Sequence, residues 1–370
     1  MTASADSLRY DSIDFLKGIA CIAIVIIHFP FPGEFGFACR QVCRFAVPFF
    51  FFVSGFFFPR SCNQLEATRR KILHVLVLCL WAEAFHMAFL FLFHAATGTG
   101  WTVRSFLRVH ATARDLICFL ATNAPPQWLH LWFLWALFYA YLFASVWFGD
   151  GKRFATAGPL GLLLLVCTAA FQEFAERLPF QPSLSVLGHQ VRFCHVFVFR
   201  CLPFFLLGVW SRFHEDRIRS TRIPIAVLGG LVASGAVLAI LEAHWTCDSQ
   251  FYLGNFLMVA GMVVWAIRRP THSWRPAAFI GKNLAFVIYI AHMAVGVVLF
   301  ELLRRGLHME SPTMKWVCPI LVALGSIAVA LCSWFFLRYV SHVFSPLFME
   351  LWRRTSFRRP PDSKARFANP

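Results

Sequence analysis

The stretch DFLKGIACIAIVIIHF, residues 14–29, is apolar enough to lie in a lipid bilayer, yet it contains an acid, a base and a histidine. At about 100° per residue, Lys17 and His28 share one face of a helix, three turns or roughly 16 Å apart. Asp14 precedes Lys17 by three residues, a spacing that allows an ion pair. The pattern predicts a membrane helix with one polar face. Ionisable groups in such helices are functional candidates; the alternative is that the charges mark the interface and His28 bonds to a neighbouring helix.

The composition indicates a polytopic membrane protein. The 370 residues are 59% hydrophobic and 14% charged, with 44 phenylalanines, whereas soluble domains carry about 25% charged residues. The apolar runs are long enough to span as helices, so the predicted fold class is all-α. The formal net charge of +16 is assigned to loops on the cytoplasmic side rather than to nucleic-acid binding.

About ten apolar runs are long enough to span the bilayer. Cytoplasmic loops retain Lys and Arg, so the loop charges predict orientation. With the N-terminus inside, the inner segments hold more than twice as many Lys and Arg residues as the outer segments, and both termini are predicted to be cytoplasmic. The predicted spans are residues 13–31, 42–58, 72–94, 129–148, 159–171, 194–210, 224–244, 251–267, 277–303 and 316–339.

Two segments outside these spans are assigned to a side of the membrane. Residues 95–128 form the longest non-spanning stretch and are predicted to be an outer loop with room for a surface helix. Residues 346–370 contain RRTSFRRPPDSKAR and are predicted to be a cytoplasmic polybasic tail next to acidic lipid headgroups. Residues 1–345 then form one integral-membrane domain.

Four motifs, in order along the chain, carry a resemblance to a known family. The first is Lys17 and His28 with ten residues between them, followed by FPFPGEFG. The others are CRFAVPFFFFVSGFFF at 43–58, HLWFLWAL at 130–137 and FIGKNLAFVIYIAH at 279–292. Together they resemble the acyltransferase-3 family of integral-membrane enzymes, which O-acylate cell-surface glycans and other acceptors.

The resemblance implies roles for the first helix and for a cytoplasmic basic cluster. His28 is expected to be the catalytic base, with Lys17 and Asp14 as its partners on the same helix. Arg69, Arg70 and Lys71 are expected to bind the phosphates of acyl-CoA, because guanidinium and ammonium groups bind phosphate. The family often has two arginines three residues apart at this place, so the spacing here differs, and the alternative is an ordinary cytoplasmic charge cluster.

Further residues are expected to contact the substrates. Equal depth in their spans predicts that His28 and His292 lie at one level, and Arg200 needs a cavity or a partner to be tolerated in lipid. Glu83 is a candidate to orient His28. Glu83 and His86 form one E-x-x-H motif, but a di-iron site needs it twice, so no metal is expected. The full set of expected substrate-contacting residues is His130, Trp132, Arg200, Tyr289, His292 and Glu83, with helix-packing histidines as the alternative for His130 and His292.

The sequence thus predicts an O-acyltransferase of the inner membrane, most simply an O-acetyltransferase. Its acyl group would come from cytoplasmic acyl-CoA as a co-substrate, with no tightly bound cofactor, and its acceptor would be a hydroxyl of a surface polysaccharide or its lipid-linked precursor. One alternative is a transporter or flippase that relays protons through the histidines, although no internal repeat is evident. A second is a catalytically inactive scaffold in a polysaccharide-synthesis complex.

Overall fold

The computed structural model describes residues 10–59, 63–98, 129–150, 153–186, 189–246, 251–306 and 312–355, with five isolated positions between 115 and 123. Helices dominate these residues, as the all-α prediction requires. The N-terminal half of the fold contains α1 (Asp11–His28), α2 (Gly33–Cys43), α3 (Ala46–Phe56), α4 (Gln64–Thr97), α5 (Trp132–Trp147), preceded by the 3₁₀ turn Leu129–Leu131, and α6 (Ala157–Gln172).

The C-terminal half begins with an antiparallel hairpin that the sequence did not predict, in which Ser183 pairs with Arg192. Its two four-residue strands form a two-stranded sheet, which is at best marginally stable alone, so the hairpin is an appendage of the helical fold. The elements are β1 (Ser183–Val186), β2 (His189–Arg192), α7 (Phe197–Arg200), α8 (Leu202–Phe213), α9 (Glu215–Ser220), α10 (Ile225–Trp245), α11 (Leu253–Arg268), α12 (Arg275–Phe279), the π turn Ile280–Leu284, α13 (Ala285–Gly306) and α14 (Pro312–Thr355).

The protein is a membrane protein with several spanning helices. Six segments of the described chain are long and apolar enough to cross a bilayer by length and composition, and α5, α8 and α11 are shorter apolar helices. The number ten and the cytoplasmic placement of both termini therefore remain predictions. The six segments are Gly33–Phe56, Gln64–Thr97, Phe154–Gln172, Ile225–Trp245, Arg275–Arg305 and Thr313–Val340.

Several predicted boundaries were wrong because local backbone features interrupt the apolar runs. The predicted span 42–58 begins inside α2 and continues as α3 after a break at Arg44 and Phe45, and the span 194–210 breaks at Cys201. α14 continues to Thr355, past the predicted domain boundary at residue 345, which stays a prediction. Most of the predicted outer loop 95–128 and the end of the tail, 356–370, lie outside the described residues.

Phenylalanine side chains fill the core between α3, α5 and α8. Phe51 and Phe205 are fully buried there, and the ring of Phe51 lies 4.5 Å from that of Phe133 on α5. The backbones of α3 and α8 approach closely, because a side chain at Gly55 would meet the carbonyl of Phe205. Small residues permit such approach in membrane helices. Ser54, beside this contact, donates a hydrogen bond to the carbonyl of Phe50.

The helix α1 packs by its backbone against the segment that leads into α13. A Cβ atom at Gly18 would overlap the carbonyl of Ala277, and one at Gly281 would overlap the carbonyl of Asp14. Gly281 lies in the π turn, where the amide of Ala285 donates to the carbonyl of Ile280. π turns are rare and concentrate at functional sites. This double glycine contact holds α1 against the π turn and determines which residues of α13 face it.

A pair of carboxyl groups caps the start of α11. Glu173 accepts a hydrogen bond from the amide of Leu253 at 2.6 Å, and Glu242 accepts one from the amide of Gly254 at 2.9 Å. The first amides of a helix lack partners within the helix, so the two carboxyl groups satisfy donors that burial would otherwise leave unpaired. Burial, and next the charge of Glu242, raise the pKa of Glu173 to about 8.

Replacing Gly18 by alanine is expected to destabilise the protein by about 1–3 kcal/mol, because the new methyl group overlaps the backbone carbonyl of Ala277 on α12. The measurement is the thermal unfolding midpoint of protein purified in detergent. Gly229→Ala is the matched control, since a Cβ atom there meets no neighbour and alanine favours the helix. Equal midpoints for Gly18→Ala and the wild type would contradict the close packing of α1.

Stability is also expected to depend on pH through Glu173. The raised pKa means that the folded protein holds a proton that the unfolded chain releases above its ordinary pKa of 4.5. The stability from this group is therefore full below pH 4.5 and is lost as the pH rises through about 8. Glu173→Gln should reduce this decline of the unfolding midpoint with pH. The control is Glu176→Gln at an exposed neighbouring position, which should show the same decline as the wild type. A decline that is unchanged in Glu173→Gln would refute the assignment.

Candidate functional site

The first helix carries its polar groups as the sequence predicts. α1 is continuous from Asp11 to His28, and the Lys17 ammonium lies 2.9 Å from the Asp14 carboxylate. This ion pair is at one end of the helix and His28 is at the other. The predicted shared face and ion pair are confirmed in geometry, while the chemical roles of these residues remain to be tested.

The packing of α1 along α13 brings His292 to His28. Their imidazole centroids are 5.1 Å apart. One turn beyond His292, a side chain at Gly296 would meet the ring of Phe29, so the helices stay in contact past the histidines. The equal depth predicted for His28 and His292 is therefore found, and its cause is the glycine contact at the other end of α1.

His130 joins the same cluster from the 3₁₀ turn before α5. Its imidazole centroid lies 6.0 Å from that of His28 and 5.3 Å from that of His292. The Tyr289 hydroxyl donates a 2.7 Å hydrogen bond to the backbone carbonyl of His130. The short turn is thus tied to α13, which positions the imidazole of His130 as well as its backbone.

His86 is a fourth member that the sequence reasoning did not include among the site residues. It is fully buried on α4, and its imidazole centroid lies 4.9 Å from that of His130. The available signal was the ionisable E-x-x-H motif within an apolar run, which was considered only for a di-iron site. Among the residues that the structure describes, no group of three metal-binding side chains is arranged to hold a metal ion.

Hydrogen bonds indicate which imidazole nitrogens carry protons. His292 Nδ1 lies 2.7 Å from the carbonyl of Tyr289, and His86 Nδ1 lies 2.9 Å from the carbonyl of Ala82. Since a carbonyl only accepts, each Nδ1 carries the hydrogen. Nε2 of His292 is then a buried acceptor, and it has no hydrogen-bond partner among the described residues.

His28 is the exposed member of the cluster and opens into a cavity of about 470 Å³. This volume falls in the usual range for small-molecule sites. Two cations, Arg304 and Lys315, lie in the wall of the cavity. The lining residues are His28, Phe29, Pro30, Pro32, Phe300, Arg304, Met314, Lys315, Cys318 and Pro319. An incoming molecule therefore reaches His28 from the end of α1.

Glu83 is not placed where the sequence reasoning expected it. Its carboxylate accepts a 3.0 Å hydrogen bond from Nε1 of Trp135, and no hydrogen bond joins it to His28 in the described chain. The prediction that Glu83 orients His28 by direct contact was therefore wrong. On α4, Glu83 and His86 are three residues apart, and each contacts a different partner near α5.

Arg200 and Trp132 form a separate contact beside the cluster. The guanidinium carbon of Arg200 lies 3.5 Å from the centroid of the indole of Trp132, and the arginine is 5% exposed. No ring contact or hydrogen bond connects Arg200 to the four histidines within the described residues. Trp132 follows His130 by two residues, so the stacked pair lies next to the cluster along the chain.

The basic cluster predicted to meet acyl-CoA lies at the start of α4. Arg69, Arg70 and Lys71 are all exposed there. Arg70 forms a 3.1 Å ion pair with Glu66, which leaves the charges of Arg69 and Lys71 without a partner among the described residues. These positions suit a large, charged molecule that approaches from the solvent.

A comparison with protein families identifies the chain. A family model described as an acyltransferase domain, of the acyltransferase-3 type, matches residues 10–338. No curated protein and no solved structure matches the chain. The match spans every residue of the candidate site, from Asp14 on α1 to Pro319 on α14. The chain therefore belongs to the acyltransferase-3 family and is a membrane acyltransferase.

Proposed function

We propose that this acyltransferase is an O-acetyltransferase of the inner membrane. It transfers the acetyl group of cytoplasmic acetyl-CoA to a hydroxyl of a surface polysaccharide or of its lipid-linked precursor. The observation that carries the proposal is His28, whose imidazole is exposed to a cavity and backed by the imidazoles of His130 and His292.

His28 acts as the general base. Its imidazole takes the proton of the acceptor hydroxyl while the oxygen attacks the thioester carbonyl, and the C–O bond forms. The C–S bond then breaks, and CoA leaves as a thiolate that takes the proton back from the imidazolium. An imidazole suits both transfers because a ring nitrogen can accept a proton and return it.

His130 and His292 act through His28 as positioning residues. The Nε2 atom of His292 is an acceptor held by the hydrogen bond of its Nδ1, so it favours a ring of His28 that presents an N–H. A general base needs its remaining N–H oriented by a neighbouring acceptor, as in serine hydrolase triads. The rings of His28, His130 and His292 also lie within about 6 Å of one another, which supports a positioning role for His130 and His292.

The donor is expected to bind at the opposite end of α1. Arg69 and Lys71 are exposed on α4 and have no ion-pair partner in the described part of the chain, and Lys282 is exposed in the π turn beside Lys17. Ammonium and guanidinium groups bind phosphate. The pantetheine arm of CoA, an extended chain, is long enough to cover the roughly 16 Å along α1 between Lys17 and His28. The transporter alternative is not favoured by the family match.

His28→Ala is expected to lower acetyl transfer by roughly 10²–10⁴-fold, which is the usual contribution of a general base. The measurement is the O-acetyl NMR signal on surface polysaccharide from cells that carry the variant, together with CoA release by the purified protein. His74→Ala is the control, because His74 is exposed on α4. Full O-acetylation in cells with His28→Ala would overturn the assignment.

His86→Ala is expected to lower kcat by up to about 10²-fold, the cost of a 1 Å displacement of a reacting group. The reason is that His130 loses the ring that packs against it. CoA release at saturating acetyl-CoA measures this effect. The same His74→Ala control, which changes the same residue type on the same helix, should keep the wild-type kcat. An unchanged kcat in His86→Ala would show that the fourth histidine only fills space.

A further inference from the structure

The cavity that opens at His28 has a positively charged wall. Arg304 and Lys315 are among its lining residues, and the described part of the wall contains no carboxylate. The other lining residues apart from His28 are phenylalanine, proline, methionine and cysteine side chains, which do not neutralise the two cations. A molecule that reaches His28 through this cavity therefore passes two positive charges, and such a wall favours an anion.

Ion pairing leaves a positive excess at this place. Glu301 lies 3.1 Å from the guanidinium of Arg304, and the same carboxylate also pairs with Arg305. Lys315 forms no ion pair with a residue that the structure describes. Three cations and one carboxylate give this group a net charge of +2.

The start of α14 adds to the positive field of the cavity. The helix begins at Pro312 and contains Lys315 in its first turn, and a helix N-terminus carries a partial positive charge. A cation in the first turn is unfavourable for the helix, so helix stability does not account for Lys315. The ring of Trp316 lies 6.0 Å from that of Phe31 and 5.7 Å from that of Phe35. These ring contacts hold the positive end of α14 beside the segment that follows His28.

Membrane orientation does not account for these cations either. Lys and Arg next to spanning helices are retained mainly on the cytoplasmic side. In the orientation predicted from the loop charges, the end of α13 and the start of α14 lie on the outer side. His28 is at the corresponding end of α1, away from Lys17. The cations are therefore on the side from which a surface glycan would arrive in the proposed reaction.

We propose that Arg304 and Lys315 bind an oxyanion of the acceptor, so that the sugar at His28 is an acidic sugar or is linked to phosphate. Carboxylate and phosphate oxygens accept charge-assisted hydrogen bonds from guanidinium and ammonium groups. A cavity of about 470 Å³ is roughly 10 Å across if it is taken as a sphere. The bound anion and the reacting hydroxyl therefore belong to one sugar or to neighbouring sugars. The inference rests on the proposed acyl transfer, but it concerns recognition and not chemistry.

Binding without acetyl-CoA tests this inference separately from acyl transfer. Purified protein in a non-ionic detergent is titrated with glucuronate, glucose 1-phosphate or glucose, at an ionic strength held constant with sodium chloride. An anionic sugar should raise the unfolding midpoint, and glucose should not. A response to glucuronate alone indicates a uronate in the acceptor, one to glucose 1-phosphate alone indicates a phosphate link, and one to both indicates that charge is recognised in either form. No response to either anionic sugar, or an equal response to glucose, would overturn the proposal.

Variants then locate the bound anion. Arg304→Gln and Lys315→Gln should each reduce the midpoint shift. The matched control is Arg305→Gln, which removes the same charge at the next position and from the same carboxylate, but Arg305 does not line the cavity; it should keep the wild-type shift. Persistence of the shift in both lining variants, or an equal loss in the control, would contradict the assignment. His28→Gln should still bind the anion, so loss of transfer and loss of recognition are distinguishable.

The kinetic counterpart uses an acceptor oligosaccharide that carries the anion identified by binding. The double variant Arg304→Gln, Lys315→Gln should raise its KM by roughly tenfold or more, as expected when charge-assisted hydrogen bonds are lost. The value of kcat should stay within about a factor of two, and the KM for acetyl-CoA should not change. The same oligosaccharide without its anionic group should show no difference between variant and wild type. A fall in kcat with an unchanged acceptor KM would indicate a structural role and refute the inference.

Discussion

The site depends on one contact between two backbones. Gly18 on α1 and Gly281 in the π turn have no side chains to separate the helices, so α1 lies directly against the segment that becomes α13. In a bilayer, where apolar surfaces gain little from meeting one another, close van der Waals contact is what holds helices together. Because both helices are rigid, the contact near Lys17 also determines where His28 and His292 meet, about three turns away.

Lipid explains why the polar residues cluster. A histidine or arginine within the membrane is tolerated where it faces the protein interior or a cavity. His86, His130 and His292 satisfy this condition by burial against one another, and His28 satisfies it by opening into a cavity. Arg200 satisfies it only in part, by stacking on Trp132.

The sequence predicts features that depend on local periodicity. The shared face of Lys17 and His28, the ion pair with Asp14 and the equal depth of His28 and His292 all follow from the helical repeat and the order of the spans. Features that depend on tertiary contacts were missed or wrong. His86 joins the site because α4 packs on α5, and Glu83 contacts Trp135 for the same reason. The spacing of residues within α4 does not predict either contact.

Interruptions of the helices were equally hidden from the sequence. An apolar run has the same composition whether it forms one helix or two. The predicted spans therefore include the breaks at Arg44 and Cys201 and the π turn at Gly281. Apolar length therefore predicts how much chain lies in the membrane, but it does not predict where the backbone bends.

The proposed acyl transfer requires that the clustered histidines act as one unit. A double-mutant cycle tests it most directly, with His130→Gln and His292→Gln measured singly and together through kcat/KM of the purified protein. Residues in contact show coupling of about 0.5–3 kcal/mol. We predict that the double variant retains far more activity than the product of the two single losses. Losses that simply multiply would contradict it.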